Sequence, residues 1–431
     1  MENYVIVIFI LAVMIGLSAV ADKIKLPYPI ILISAGIAIG FIPDLPHIEL
    51  APEIVLLIFL PPLLYDAAFN ISITNFRTHI NTISTLAITL VFVTTTAIAV
   101  TSYYLIPGIT WPLAFVLGAI LSATDAVSAI SITKGLGISH KTTTILEGES
   151  LINDASALVA YRFAVAAVTG TAFVFWQATL QFVLLLAGGL LVGIVLGKIT
   201  VWILNYVQKN SQVTLSLLLL MPLVTYLIAE ELHVSGVIAV VVLGLGISRF
   251  SNKLFHEQLQ QESKSIWDII VFLLNGLIFI LIGLQLPYLL DTIEEGQLFP
   301  YIGYAFLINL VAILLRTAWV FLQRRNLLKA FSSTNEKRRV TEDALLDFKT
   351  SLIISWSGMR GIVSLAIALG LPTHLQNGEP FPYRTAIIFI SLVVVLFTIL
   401  GQGLTLPMLV KKLKIREAEA NPVEDLSTMD K

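Results

Sequence analysis

The stretch Glu147-Gly148-Glu149-Ser150-Leu151-Ile152-Asn153-Asp154 sets three carboxylates, a hydroxyl and an amide inside an otherwise apolar run. On a helix Glu149 and Asn153 are four residues apart and share a face, as do Ser150 and Asp154. At bilayer depth each ionisable group costs about 2.5–3.5 kcal/mol on insertion scales, so a segment holding several of them uses them. Two further apolar runs break near their centres, at Ser122-Ala123-Thr124-Asp125-Ala126 and at Ser355-Trp356-Ser357-Gly358-Met359-Arg360-Gly361. A fourth, Leu60-Pro61-Pro62-Leu63-Leu64-Tyr65-Asp66, carries an acid toward its end, and its paired prolines are expected to break the helix.

Carboxylate, hydroxyl, amide and backbone carbonyl oxygens ligate small hard cations such as sodium, and no imidazole or thiolate lies beside them. A carboxyl group removed from water favours its neutral form, and a cation bound beside it supplies the charge that expels the proton. One carboxylate can then serve two mutually exclusive ligands, which is the minimum for exchange. Asp154, at the midpoint of its run, is the best candidate for that role, and neutral Asn153 can position partners without adding a second titrating charge. Glu149 lies about 7 Å from Asp154 along the axis, at 1.5 Å per residue, and is the expected partner of Arg360. Asp66 would line an access route, contact the site or cap a helix end. Asp268 reads as a side chain that snorkels to the interface, Arg162 and Arg316 as structural or mechanistic alike, and Glu147 has no assignment.

The elements that must hold these groups are membrane helices. The 431 residues are 57% hydrophobic and 13% charged, and the mean hydropathy is +0.90. A net charge of −2 gives no sign of a nucleic-acid partner, and the absence of cysteine excludes disulfides, thiolate metal sites and a cysteine nucleophile. Ala19-Val20-Ala21 resembles a cleavage site, but Glu2 stands where a basic n-region would be and Lys23 and Lys25 follow the apolar run. Residues 3–21 are therefore expected to span.

Runs of about 20 apolar residues number thirteen: 3–21, 27–42, 52–69, 80–106, 111–133, 140–168, 176–206, 213–231, 234–249, 265–287, 298–323, 348–372 and 383–410. With the N-terminus outside, the inner segments collect nearly all the Lys and Arg, including 324–347 and the short tail 411–431; Arg384 falls outside. The outer loops carry acids such as Asp44, Glu49, Glu230 and Glu295. The longest polar loop, 324–347, reads as a solvated cytoplasmic loop. Spans 5 and 12 become equivalents if residues 1–170 and 213–410 are inverted six-helix repeats joined by the linker helix 176–206. Interrupted helices at matching positions of inverted halves point to a transport site. Gly189, Gly193 and Gly197 in span 7 form a stripe expected to pack internally.

Together, Gly148-Glu149-Ser150-Leu151-Ile152-Asn153-Asp154, Ala123-Thr124-Asp125, Leu60-Pro61-Pro62…Asp66 and Gly358-Met359-Arg360-Gly361 resemble the CPA1-type monovalent cation/proton antiporters, the NhaP-like sodium/proton exchanger family. The resemblance covers essentially the whole chain. It implies an all-α polytopic membrane protein of about 13 transmembrane helices, with broken helices 5 and 12 crossing between inverted repeats. It also implies a homodimer in the cell's inner (plasma) membrane, each protomer with a dimerisation part and a mobile core. Asp154 would bind sodium or the proton with Asn153 orienting it, and Asp125, Thr124 and Ser150 would complete the sodium site. Asp66 matches an acidic position that helps coordinate the ion, and Glu149 and Arg360 match a structural ion pair. The Asn-Asp pair implies electroneutral exchange of one sodium or lithium ion for one proton, with no cofactor. Beside animal exchangers, the short tail 411–431 sets the expectation of no long regulatory tail.

Potassium selectivity is the rival within the class, and a cation channel or ion-regulated sensor the rival outside it. An enzyme is disfavoured: no nucleophile–base pair or His-rich motif occurs, and the six histidines are scattered.

Overall fold

The computed structural model describes residues 2–24, 28–42, 52–133, 136–169, 175–294, 296–332, 341–375 and 377–413. Asp44, Glu49, Glu295 and the tail from residue 414, to which the sequence reading assigned sides of the membrane, lie outside the described residues.

Each expected run is occupied by helix: α1 (Glu2–Ile24), α2 (Tyr28–Gly40), α3 (Pro52–Asn70), α4 (Ile80–Leu105), α5 (Trp111–Thr133), α6 (His140–Val168), α7 (Phe175–Val207), α8 (Ser211–Glu231), α9 (Gly236–Leu254), α10 (Glu257–Thr292), α11 (Leu298–Phe331), α12 (Phe348–Trp356 and Ile362–Leu369) and α13 (Arg384–Leu413). Among the described residues eight of them, α4 to α8, α10, α11 and α13, are long and apolar enough to cross a membrane. α1, α2, α3 and α9 contain shorter apolar helices, and α12 is split.

The starts are written in side chains that accept from otherwise orphaned backbone donors. Ser139 caps α6 through the Thr142 amide, Asn210 caps α8 through Val213, Ser235 caps α9 through Ile238, and Asp347 caps α12 through Lys349 and Thr350. Two expectations need correction. Pro61 and Pro62 sit inside a continuous α3, at the cost of the amide donors that would have met the carbonyls of Leu57 and Ile58. The loop expected over 324–347 is helical to Phe331, and Lys141 at the start of α6 ties down part of the remainder. Its Nζ donates to the carbonyl of Asp343 (2.7 Å) and to that of Leu345.

The helices pack as two groups. α4, α5, α6, α11, α12 and α13 pack on one another, as do α1, α2, α3, α7, α8, α9 and α10. Lipid gives apolar faces no reason to associate, so close backbone approach at small residues takes over. Gly36 of α2 lies against the Ile280 carbonyl and Gly283 of α10, where any Cβ would clash. Gly189 and Gly193 of α7 lie likewise against Ser235, Ala239 and Val242 of α9, so the glycine stripe is internal packing.

Candidate functional site

α5 unwinds over Ala123-Thr124-Asp125, which splits it into α5a (Trp111–Ser122) and α5b (Ala126–Thr133); α12 unwinds over Ser357–Gly361, between its halves α12a and α12b. The two breaks cross and touch, the Asp125 amide donating to the Met359 carbonyl at 2.7 Å. Glycine makes the contact possible. A Cβ on Gly361 would collide with the Asp125 side chain, and one on Gly358 with the Arg316 side chain. Gly361→Ala is therefore expected to push Asp125 off its cap and to cut exchange at least tenfold while the chain still reaches the membrane. Wild-type rates in that variant would show that the contact is not needed.

Four helix ends meet here, and side chains answer three of them. Asp125 caps α5b, accepting from the Ser128 amide (3.2 Å) and hydroxyl (2.6 Å). Arg360, 1% exposed, donates from Nε to the Leu121 carbonyl (3.0 Å) in the last turn of α5a. Its Nη1 reaches the Gly358 carbonyl (2.6 Å) just past α12a, and Thr398 Oγ1 of α13 accepts from its amide (3.1 Å).

Arg360 is thus not the partner of Glu149, as expected from sequence. Arg316 of α11 is. Its Nη2 donates to Glu149 Oε2 at 2.8 Å, its Nη1 to Oε1, and its Nε to the Ile354 carbonyl at 3.0 Å. Both side chains are 3% exposed or less. The unwound strands supply Arg360 with bare carbonyls, so it needs no carboxylate.

Thr124 is the hub joining the break to α6. Its hydroxyl donates to Glu149 Oε1 (3.1 Å) and accepts from Asn153 Nδ2 (2.6 Å). Its carbonyl accepts from Asn153 Nδ2 and from Ser150 Oγ, both at 3.3 Å. Asn153 is therefore a strut between α6 and α5. Ser150 spends its proton on Thr124 and keeps its oxygen lone pairs for a ligand.

Asp154, 6% exposed, has no hydrogen-bond partner for its carboxylate among the described residues. It faces a cavity of about 1330 Å³ that Thr124, Asp125, Ser150, Asp66 and Glu147 also line. Asp66 accepts from Asn70 Nδ2 at 2.8 Å. Asp268, exposed, lines the same cavity. Lys411 and Met408 near the end of α13 mark the mouth, on the face where the basic residues collect.

Two further arginines have structural answers. Arg162 of α6 pairs with Glu230 of α8 at 3.1 Å, bridging the two helix groups. Arg384, the one outlier of the basic-residue map, donates to the carbonyls of Leu371 (3.0 Å) and Leu369 (3.2 Å), and so caps α12b. The arrangement presents the Asp154 carboxylate, without a hydrogen-bond partner among the described residues, beside a hydroxyl, a threonine carbonyl and a capping aspartate, in a cavity between the two helix groups.

The transmembrane sodium/hydrogen exchanger family model matches residues 8–412. A sodium, potassium, lithium and rubidium/H+ antiporter of Bacillus pumilus is 35% identical over 422 residues, covering 96% of this chain and 62% of that protein, so the chain spans under two thirds of that relative. The Na+/H+ antiporter NhaH of Halobacillus aidingensis is 30% identical, covering 96% of this chain and 98% of that protein. The sodium proton antiporter MjNhaP1 of Methanocaldococcus jannaschii shares the fold, with a TM-score of 0.72 at 22% identity, covering 96% of this chain and 99% of that one.

Proposed function

The chain belongs to the sodium/hydrogen exchanger family, a family of multi-pass membrane transporters, and on that footing we propose that it is a secondary antiporter exchanging sodium for protons by competition at Asp154. The observation that carries this reading is the Asp154 carboxylate itself, without a hydrogen-bond partner among the described residues and open to the cavity at the helix crossing. Sodium would take oxygens from Asp154, Ser150, Thr124 and Asp125, with Asp66 on the approach. When the cation leaves, the carboxyl takes a proton, because a bare charge at that depth is costly. Sodium is common to the relatives' names above; potassium and lithium appear in the Bacillus pumilus name, and the reading keeps potassium as the rival cargo.

The shuttle needs no cofactor. A channel or sensor is less well supported, since neither requires one carboxylate shared by two ligands. With Asp125 committed to a helix cap and Glu149 to Arg316, Asp154 at the crossing is the exchanging charge of this reading, and one-for-one exchange is its expectation. In proteoliposomes, sodium-driven proton movement should then be indifferent to an imposed membrane voltage. Voltage-driven proton flux coupled to sodium would refute the stoichiometry. The same reading places the protein in the cell membrane as a homodimer, N-terminus outside and C-terminus cytoplasmic. The orientation is supported by the inner bias of Lys and Arg.

A further inference from the structure

Each break of the crossing is pinned by a side chain from the span that follows it. On α5 the pin is Asn153 of α6, whose Nδ2 donates to the hydroxyl and to the carbonyl of Thr124. On α12 it is Thr398 of α13, fully buried, which meets the backbone of Arg360 on both sides. Its Oγ1 accepts from the Arg360 amide at 3.1 Å and lies 3.3 Å from the Arg360 carbonyl. The same hydroxyl reaches the Val395 carbonyl at 2.9 Å, so its one proton is shared between two acceptors. Thr101 and Thr317 instead close on their own helices, at the carbonyls of Ala97 and Ile313.

The local backbone on both sides calls for this contact. Arg360 lies in unwound chain, so its amide has no helical acceptor, and α12b opens at Gly361 without a side-chain cap. α13 in turn leaves regular α-helical winding over Phe397–Gln402, a π-helical turn that begins one residue before Thr398. Such turns are rare and recur at functional sites.

The residues on either side of Arg360 are the two that touch Asp125. The Met359 carbonyl accepts from the Asp125 amide at 2.7 Å, and Gly361 has no room for a Cβ beside the Asp125 side chain. Asp125 lines the cavity and Thr398 does not. The Arg360 guanidinium fixes the tip of that side chain on the carbonyls of Leu121 and Gly358, while the Thr398 hydroxyl fixes its backbone. A slide of Arg360 along the break would therefore move the carboxylate that faces the cation.

We propose that Thr398 is a positioning residue of the cation site, holding the backbone of Arg360 and, through Met359 and Gly361, setting where Asp125 stands in the cavity. This rests on the sodium/proton exchange reading above.

The test compares the full-length chain with Thr398→Val, which removes the hydroxyl, and Thr398→Ser, which keeps it. In proteoliposomes Thr398→Val should raise the half-saturating sodium concentration about threefold to tenfold, the size of one lost buried hydrogen bond. The rate at saturating sodium should stay within about twofold of wild type, as for a loss of binding alone. Thr398→Ser should bring half-saturation back to within about twofold of wild type. A threonine that only stabilised α13 would lower the yield of folded protein or the maximal rate and leave half-saturation unmoved. Half-saturation in Thr398→Val equal to wild type overturns the proposal, and so does Thr398→Ser behaving no better than Thr398→Val. If size exclusion shows no folded Thr398→Val protein, Thr398→Ala takes its place under the same outcomes. Sodium-22 binding to the purified chains separates this claim from the antiport reading. Binding weakened by Thr398→Val and kept by Thr398→Ser, in a chain that moves no protons, would uphold the positioning role and sink antiport.

Discussion

Replacing Asp154 by asparagine should abolish sodium-driven proton movement, to a rate at least a hundredfold below wild type, while the protein stays folded in the membrane. The substitution preserves volume and leaves every contact of the crossing in place, because the carboxylate makes no hydrogen bond among the described residues. What it removes is the group that can hold either a proton or a counter-charge for sodium, and binding of a hard cation depends on a deprotonated ligand. The comparison variant is Glu147→Gln. Glu147 lines the cavity but lies off the donor set of Asp154, Ser150, Thr124 and Asp125, and it should retain at least a third of the exchange rate. Asp154→Asn protein that still exchanges at normal rates would remove the basis of the mechanism.

The second large effect concerns stability. Arg316→Met leaves Glu149 buried without its cation, and breaking one side of a buried pair costs about 3–5 kcal/mol. The variant is expected to lose most folded protein in detergent, read as a sharply lowered apparent unfolding temperature, a kinetic quantity for a protein of this kind. Adding Glu149→Gln removes the stranded charge and should recover much of that loss, because replacing both partners is far cheaper than removing one. Arg360→Gln, which loses two carbonyl contacts and strands no acid, should be milder than Arg316→Met. If Arg360→Gln is the worse variant and Glu149→Gln rescues that one instead, the pairing described here is wrong.

That pairing also marks where sequence reasoning ends. The helices were readable because lipid imposes length: each apolar run between charged or Pro/Gly breaks became helix, and Ser139, Ser235 and Asp347 mark starts that caps alone could have given. The interruptions were readable because Gly, Ser and Asp have no business in mid-span unless they serve. Which arginine meets Glu149 was not readable, since Arg316 and Arg360 both sit mid-span and only the packing of α11 beside α12 decides. Gly358 was the available sign, as its missing side chain is the room Arg316 occupies. The capping role of Asp125 was legible in the Asp125…Ser128 spacing, a side chain placed to accept from the amide three residues on. The continuity of α3 through Pro61 and Pro62 was not, since a proline pair in a span is tolerated where neighbouring helices support the chain.

The central claim is that sodium and the proton compete for Asp154, and the most direct measurement is the half-saturating sodium concentration for exchange in proteoliposomes across pH 6 to 9. Competition for one site requires that concentration to rise toward about tenfold per pH unit on the acid side, with the rate at saturating sodium little changed. A half-saturating sodium concentration that stays constant across this range would contradict the account.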